Sequence, residues 1–131
     1  MTTQVDTFLM FYGNAEEAIN FYVSLFPDSK VVQLGRYGAN EPGVEGSVKR
    51  ASFTLCGKTF LAIDSPVKHN FTFTPAISLY VKCQSEKEVE NLFAKLSHKG
   101  NILMLLASYP FSKKYAWVTD RFGVSWQLSF N

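Results

Sequence analysis

Two stretches of the chain carry apolar side chains at the spacing of an amphipathic helix. In residues 14–26 these positions are Ala18, Phe21, Tyr22 and Leu25. In residues 85–96 they are Val89, Leu92, Phe93 and Leu96. The spacing i, i+3, i+4, i+7 forms one face of an α-helix. The pattern therefore predicts two helices that present the same order of apolar positions.

The ends of the two predicted helices are also alike. A polar residue followed three positions later by glutamate, the pattern of a capping box, begins them at Asn14–Glu17 and Ser85–Glu88. Pro27 and Gly100 follow the apolar positions and are predicted to end the helices. The two helices are thus predicted to belong to one repeated unit.

Alternating apolar and polar residues predict one strand before each helix and three strands after it. The predicted strands are Thr7–Tyr12, Val31–Tyr37, Ser47–Leu55 and Thr59–Asp64, then Ala76–Val81, Asn101–Leu105, Tyr115–Thr119 and Val124–Phe130. A tight turn is predicted at residues 56–58, and residues 107–114 are predicted to divide the second half. The predicted fold class is α+β, with two βαβββ modules (about 1–66 and 76–131) in a single domain, 1–131.

The two faces of the predicted strands differ in polarity. In the last strand Trp126, Leu128 and Phe130 alternate with Ser125, Gln127 and Ser129. The apolar face is predicted to receive a helix, and the second face is smaller, more polar and sparsely charged. We interpret this as two cupped mixed sheets with helices on the outer face and a ligand-sized concavity. A plain solvent-facing surface and a dimer contact are the alternatives.

Composition narrows the class of protein. The chain has 131 residues and a formal net charge of +2, which does not favour nucleic acid as a partner. No apolar run approaches the roughly 20 residues of a membrane-spanning helix. The first residues lack the pattern of a secretion signal. Two cysteines, Cys56 and Cys83, do not form a disulfide framework. We therefore expect a cytoplasmic protein that does not interact with membranes.

Several short motifs, in order along nearly the whole chain, resemble the vicinal oxygen chelate superfamily, which includes glyoxalase and bleomycin-resistance proteins. The resemblance is closer to its PhnB-like branch, which is often labelled 3-demethylubiquinone-9 3-methyltransferase. The motifs that carry it lie at residues 8–11, 15–22, 25–29, 36–38, 62–64, 71–78, 109–111 and 116–128. The last of these reads Ala116-Trp-Val-Thr-Asp-Arg-Phe-Gly-Val-Ser-Trp-Gln-Leu.

The resemblance implies a glyoxalase-like fold, a cavity surrounded by the sheets, and a homodimer. In metal-using relatives, four positions on the inner strands bind a divalent ion. These positions correspond to Thr7, Ala76 and Gln127 and, less certainly, to the neighbourhood of Ala62. Only Gln127 offers a good donor, and divalent ions in enzymes of this kind need several imidazole or carboxylate ligands. The substitutions predict a protein with no catalytic metal and no cofactor.

The methyltransferase label gains no support from the residues. Methyl transfer from S-adenosylmethionine usually requires a glycine-rich loop between a strand and a helix. The predicted helices begin instead at Asn14 and Ser85, and neither follows such a loop. Whether the protein is an enzyme is left open, and no catalytic residue is assigned.

The candidate ligand-binding residues are Gln127, which corresponds to a metal-ligand position of the relatives, and acidic, hydroxyl and aromatic side chains predicted near the concavity. Gln127 offers both a donor and acceptors. Asp64 is the best remaining acid, and the alternative is a turn or cap carboxylate, since Ser65 and Pro66 follow it directly. Aromatic rings near the concavity can stack on flat ligands. The candidates are Gln127, Trp117, Asp64, Thr7, Tyr37, Tyr109 and Phe111.

Three hypotheses for function follow. The first is a protein that binds a small organic molecule in the sheet cavity without a catalytic metal. The alternative is a metal-dependent or general-base enzyme of the superfamily, of the lyase, isomerase or oxygenase type. The third is a protein-interaction surface, or a dimer interior filled by Tyr and Phe side chains.

Overall fold

The computed structural model describes residues 2–131 and contains two compact units. The first unit ends at Asn70, and the second spans Phe71–Asn131. Each unit has the order strand, helix, strand, strand, strand, which confirms the predicted βαβββ repeat. No helix within residues 2–131 is long and apolar enough to cross a membrane.

The first unit forms a mixed sheet of four strands with one helix. Its elements are β1 (Thr7–Phe11), α1 (Ala15–Leu25), β2 (Lys30–Arg36), β3 (Val48–Leu55) and β4 (Lys58–Asp64). The strand order is β1-β4-β3-β2, with β1 parallel to β4 and the other pairs antiparallel. The crossover from β1 to β4 therefore contains the helix and the β2–β3 pair.

The second unit repeats this topology. Its elements are β5 (Leu79–Lys82), α2 (Glu86–Leu96), β6 (Asn101–Tyr109), β7 (Ser112–Thr119) and β8 (Ser125–Phe130). The order is β5-β8-β7-β6, with β5 parallel to β8 and the other pairs antiparallel. Gln127 lies on β8, a central strand, so neighbouring strands flank it on both sides.

Each helix buries an apolar stripe. In α2 the buried residues Val89, Leu92 and Leu96 are all predicted ones. In α1, Ala18 and Tyr22 are buried as predicted. The buried set of α1 also includes Ala15 and Ile19, whereas Phe21 and Leu25 are only half-buried. The buried stripe of α1 therefore shares Ala18 and Tyr22 with the predicted face but has Ala15 and Ile19 in place of Phe21 and Leu25.

The start of α1 differs from the predicted capping box. The Asn14 side chain makes no capping hydrogen bond. Instead, Asp64 Oδ1 accepts hydrogen bonds from the backbone N–H groups of Gly13 (2.7 Å) and Ala15 (3.0 Å). Asp64 Oδ2 accepts from the backbone N–H of Val48 at 2.8 Å. A carboxylate at the end of β4 therefore stabilises the start of the helix, where negative charge is favourable.

The start of α2 follows the prediction. The Ser85 hydroxyl accepts a hydrogen bond from the Glu88 backbone N–H at 3.1 Å. Glu88 Oε1 accepts from the backbone N–H of Gln84 at 2.7 Å. Both partners of the predicted pair thus satisfy N–H groups at the helix start.

Two parts of the predicted strand pattern in the second unit are wrong. Residues 76–78 do not belong to β5, because Pro75 and Ala76 form a turn that the Ile77 N–H closes by a 3.5 Å hydrogen bond to Thr74 O. Residues 107–114 do not divide the second half, since β6 and β7 meet in a short turn at Pro110–Phe111. Three register shifts along β6 accommodate its irregular polarity.

Two tight connections follow from backbone geometry. Cys56 and Gly57 both have positive φ (51° and 79°), so the predicted β3–β4 hairpin has a two-residue turn of the I′ kind. Gly100 is required for a different reason: a Cβ there would lie 2.1 Å from the Thr119 backbone oxygen. Only glycine allows the chain after α2 to pass this close to β7.

Removal of the Asp64 carboxylate is expected to destabilise the fold. In Asp64→Ala three backbone N–H groups lose their acceptor, and an unsatisfied buried donor is costly, so we expect a loss of about 3 kcal/mol in the free energy of unfolding. Urea denaturation measures this loss. Asp64→Asn retains one acceptor oxygen and is expected to lose less. A loss below about 1 kcal/mol in the alanine variant would contradict the role assigned to Asp64.

Candidate functional site

One face of the second unit's sheet carries two of the predicted site residues, Gln127 and Trp117. We call it the Gln127 face, and define it as Tyr80, Lys82, Ser125, Gln127, Ser129, Tyr115, Trp117 and Thr119, together with Ser78, which precedes β5 and whose hydroxyl lies 2.7 Å from that of Ser125. Side chains alternate along a strand, so the apolar residues between these positions, such as Trp126 and Leu128, lie on the opposite face. That apolar face is buried, and α2 contacts β7 and β8.

The strand register aligns this face in cross-strand rows. In the central row, Gln127 of β8 pairs with Tyr80 of β5 on one side and with Trp117 of β7 on the other. Tyr80 is half-exposed, while Gln127 and Trp117 are partly buried. Directly opposed residues on one face have Cβ atoms about 5 Å apart. The row therefore places an amide between two aromatic side chains.

A buried tyrosine fixes the Gln127 amide. The Tyr115 hydroxyl donates a hydrogen bond to Gln127 Oε1 at 2.5 Å. Burial of Tyr115 raises the pKa of its phenol above the usual value, and the neighbouring Tyr80 and Tyr109 raise it further. The phenol therefore keeps its proton, and remains a donor to Gln127, throughout the neutral pH range.

The Trp117 indole is anchored through a chain of hydroxyls. Its Nε1–H donates to Ser125 Oγ at 2.9 Å, and Ser125 Oγ lies 2.7 Å from Ser78 Oγ. The indole N–H is thereby occupied within the protein. What Trp117 offers to a ligand is the face of its ring rather than a hydrogen bond.

Three aromatic rings pack at one end of the Gln127 face. Tyr109 and Phe111 are stacked, with ring centroids 5.6 Å apart. Tyr115 meets both of them edge-on, with centroids 5.5 Å from Tyr109 and 4.9 Å from Phe111. The Tyr109 hydroxyl donates to the Leu105 backbone oxygen at 2.6 Å. Through Tyr115, the structure links the predicted residues Tyr109 and Phe111 to Gln127.

The other three candidates lie in the first unit, where two of them have structural contacts. The Tyr37 hydroxyl donates to the Asp64 backbone oxygen at 3.0 Å, and both residues are buried. Asp64 uses both carboxylate oxygens on backbone N–H groups. A Cβ on Gly43 would lie 2.3 Å from the Tyr37 ring, so the loop packs closely on that ring. These contacts hold the loop before β3.

Thr7 is separated from the other two along the sheet. It pairs with Phe60 at one end of β1, whereas Asp64 pairs with Phe11 at the other end. Alternation places Thr7 on the side of the buried Leu9 and Phe11. Asp64 bonds the start of α1 from the same side of β4 as Phe60. Thr7 therefore belongs to the helix-covered face of its sheet.

The positions carried over from metal-using relatives do not fit a divalent ion. Ala62 is 1% exposed in the first unit's core, and Ala76 lies in a turn before β5. Gln127 Oε1 already accepts a hydrogen bond from the Tyr115 hydroxyl. Within residues 2–131, no group of three or more His, Cys, Asp or Glu side chains is placed to hold a metal ion. One amide oxygen is a poor donor set for such an ion.

Three residues that pair with or hydrogen-bond to Gln127 or Trp117 were not among the predicted candidates: Tyr80, Tyr115 and Ser125. The Tyr115 hydroxyl donates to Gln127 Oε1, and Ser125 Oγ accepts a hydrogen bond from the Trp117 indole. Tyr80 lies beside Gln127 because the parallel β5–β8 register pairs these two residues. Alternation alone assigns Tyr115 to the face of Trp117, so this signal was present in the sequence.

Solved structures of other proteins define the fold class. A fosfomycin resistance protein, FosX, from Listeria monocytogenes is 10% identical, with 100% of this chain and 94% of that chain covered and a TM-score of 0.66. A glyoxalase/bleomycin resistance protein/dioxygenase from Nocardioides is 14% identical, with 99% and 85% covered and a TM-score of 0.54. At these identities they show the fold alone, which is the glyoxalase-like fold.

The family follows from closer matches. Residues 3–129 match the family described as 3-demethylubiquinone-9 3-methyltransferase. The PhnB protein from Bacillus cereus is 57% identical, with 98% of this chain and 100% of that chain covered and a TM-score of 0.96. The chain therefore belongs to the PhnB-like, 3-demethylubiquinone-9 3-methyltransferase family. No curated protein matches the chain.

The Tyr115 phenol is expected to make the fold sensitive to alkaline pH. Its pKa is raised in the folded state, so the unfolded chain loses this proton first. The associated stability is fully present below the ordinary phenol pKa of about 10 and is lost as pH rises through the folded value. Urea denaturation between pH 9 and 11 should show a shallower decline for Tyr115→Phe than for the parent protein. The exposed Tyr12→Phe is the control, and equal slopes for all three proteins would contradict the prediction.

Proposed function

We propose that this protein binds a small organic molecule on the Gln127 face of its second unit and does so without a catalytic metal. The observation that carries the proposal is the central row, in which the Gln127 amide lies between Tyr80 and Trp117. Small-molecule sites combine apolar and aromatic walls with a few fixed polar groups. The row has this composition, and the Tyr115 hydroxyl fixes its amide.

The aromatic side chains support a planar or apolar ligand body. Trp117 has its N–H bonded to Ser125, so its ring face is the surface available for stacking. Tyr109 and Phe111 extend the aromatic surface beyond Tyr115. Stacked aromatic pairs contribute about 0.5–1.5 kcal/mol beyond the burial of their area. Several such contacts give useful affinity to a ligand that offers few polar groups.

The residues favour a metal-free site because of their donor chemistry. The Gln127 face offers hydroxyls, an amide and one lysine, and none of its residues is an acid or a histidine. Hydroxyl and amide oxygens are weak ligands for the divalent ions that enzymes of this superfamily use. The face is better suited to hydrogen bonding and stacking than to metal coordination.

Loss of the Trp117 ring is expected to weaken ligand binding. Acetophenone serves as a defined aromatic probe, titrated at millimolar concentration while ¹⁵N-labelled protein is followed by NMR. In Trp117→Ala the dissociation constant should rise about tenfold, which corresponds to about 1.4 kcal/mol of lost contact. Phe93→Ala, on the helix side of the same unit, is the matched control and should bind as the parent does.

Two outcomes would overturn the proposal. In the first, neither acetophenone nor benzoate shifts any resonance of the Gln127 face at concentrations up to their solubility limits. In the second, the two alanine variants weaken binding equally, which would assign the effect to general destabilisation rather than to the face. Thermal denaturation of both variants, measured without a probe, distinguishes loss of fold from loss of contact.

We also propose that the protein is a cytoplasmic homodimer. Exposed apolar side chains in the second unit, including Ile77, Leu105 and Phe111, favour an association surface. Cys56 and Cys83 are both unbridged, which is typical of a reducing compartment.

The oligomeric state has a direct measurement. Light scattering coupled to size-exclusion chromatography, at micromolar protein, should give twice the chain mass of 14.8 kDa. A mass that stays at one chain up to 100 μM would contradict the dimer. Such a result would not bear on ligand binding at the Gln127 face, which the probe titrations test separately.

A further inference from the structure

We propose that the ligand carries an acceptor oxygen, a carboxylate in preference to a neutral carbonyl, and that Gln127 Nε2 donates a hydrogen bond to it. This inference rests on the proposed function, since it concerns the chemistry of a ligand on the Gln127 face. Its basis is the direction in which the Gln127 amide is held.

The amide has one favourable orientation. The Tyr115 side chain is buried, and its hydroxyl has one proton to donate. With Oε1 towards Tyr115, the phenol hydroxyl donates a hydrogen bond of 2.5 Å to Oε1. With the amide flipped, Nε2 would donate to the phenol oxygen and the phenol proton would lose its acceptor. A buried donor without a partner costs about 1–3 kcal/mol, so Oε1 faces Tyr115.

The opposite end of the amide is therefore a donor. Gln127 Nε2 finds no acceptor among residues 2–131. Two neighbouring donors are engaged within the protein: Trp117 Nε1 donates to Ser125 Oγ, and the Tyr109 hydroxyl donates to Leu105 O. A ligand that meets the central row thus encounters an N–H donor in a fixed direction, and an oxygen acceptor matches it.

Charge on the face favours an anionic acceptor. Lys82 pairs with Ser129 in the row next to Gln127, and alternation places it on the side of Tyr80. Of the nine residues that define the face, only Lys82 is charged. Hydrogen bonds from an amide and an ammonium group to a carboxylate are stronger than those to a neutral carbonyl. The ligand class is thus a planar organic carboxylate.

Four small probes that share a phenyl ring test this chemistry. Benzoate has a carboxylate, acetophenone a carbonyl, ethylbenzene no polar group, and benzylammonium only donors. Titrations of ¹⁵N-labelled protein follow the side-chain NH₂ resonances of Gln127, assigned by their loss in Gln127→Ala. We expect affinity in the order benzoate, acetophenone, ethylbenzene, with benzylammonium weakest. Benzoate and acetophenone should shift the Gln127 NH₂ resonances, and ethylbenzene should not.

Reversal of the donor should reverse the selectivity. In Gln127→Glu, one carboxylate oxygen still accepts the hydrogen bond from the Tyr115 hydroxyl. The other oxygen presents an acceptor to the ligand in place of the NH₂ donor. Benzoate should bind at least tenfold more weakly and benzylammonium more tightly than in the parent. Gln33→Glu adds the same charge at an exposed position on β2 and is the control. Selectivity that is unchanged in Gln127→Glu would overturn the proposal.

Release of the amide should weaken the selectivity. In Tyr115→Phe the amide can turn either end towards the ligand, so the preference for benzoate over benzylammonium should fall several-fold while ethylbenzene affinity changes little. An unchanged preference would show that Tyr115 does not set the direction of the amide.

The outcomes separate this inference from the proposed function. If all four probes bind the Gln127 face with equal affinity, the face binds aromatic ligands but the acceptor chemistry is wrong. If none of the four binds there, the proposed function itself fails. Benzylammonium binding more tightly than benzoate to the parent protein would contradict the acceptor assignment outright.

Discussion

A buried carboxylate in each unit fixes the ends of the elements around it. Asp64 is bonded to three backbone N–H groups, at the start of α1 and at the start of β3. Asp120 accepts two backbone N–H groups of the β7–β8 turn, and its Oδ2 accepts the Trp126 indole N–H at 2.9 Å. A buried charge is tolerated only when its oxygens are satisfied. Because Trp126 is held on the helix side, the next residue, Gln127, lies on the opposite face.

Much of the fold follows from local patterns in the sequence. The repeated apolar spacing predicts both helices, and the Ser85–Glu88 pair caps α2 as predicted. The start of α1 was not predictable in this way, because its cap comes from Asp64 at the far end of the unit. The continuous β6–β7 hairpin was missed because register shifts interrupt the alternation of β6. Long-range hydrogen bonds and bulges have little local signature.

The candidate site was predictable only where alternation decides it. Gln127 and Trp117 lie on one face because each alternates with buried apolar neighbours. Tyr80 joins them through a parallel register that no local pattern specifies. Thr7 was expected beside a cavity, but it lies on the helix-covered face of its sheet. Both faces of β1 carry apolar side chains, so the polarity pattern did not show which face the helix covers. The direction of the Gln127 amide depends on Tyr115, a contact between two strands.

The most direct test of the proposed ligand chemistry is a crystal structure of the protein with benzoate bound. We expect the phenyl ring to lie against Trp117 and a carboxylate oxygen to lie about 2.9 Å from Gln127 Nε2, with Oε1 still accepting the hydrogen bond from the Tyr115 hydroxyl. Benzoate bound at another place, or on the Gln127 face with its carboxylate directed away from Gln127, would contradict it.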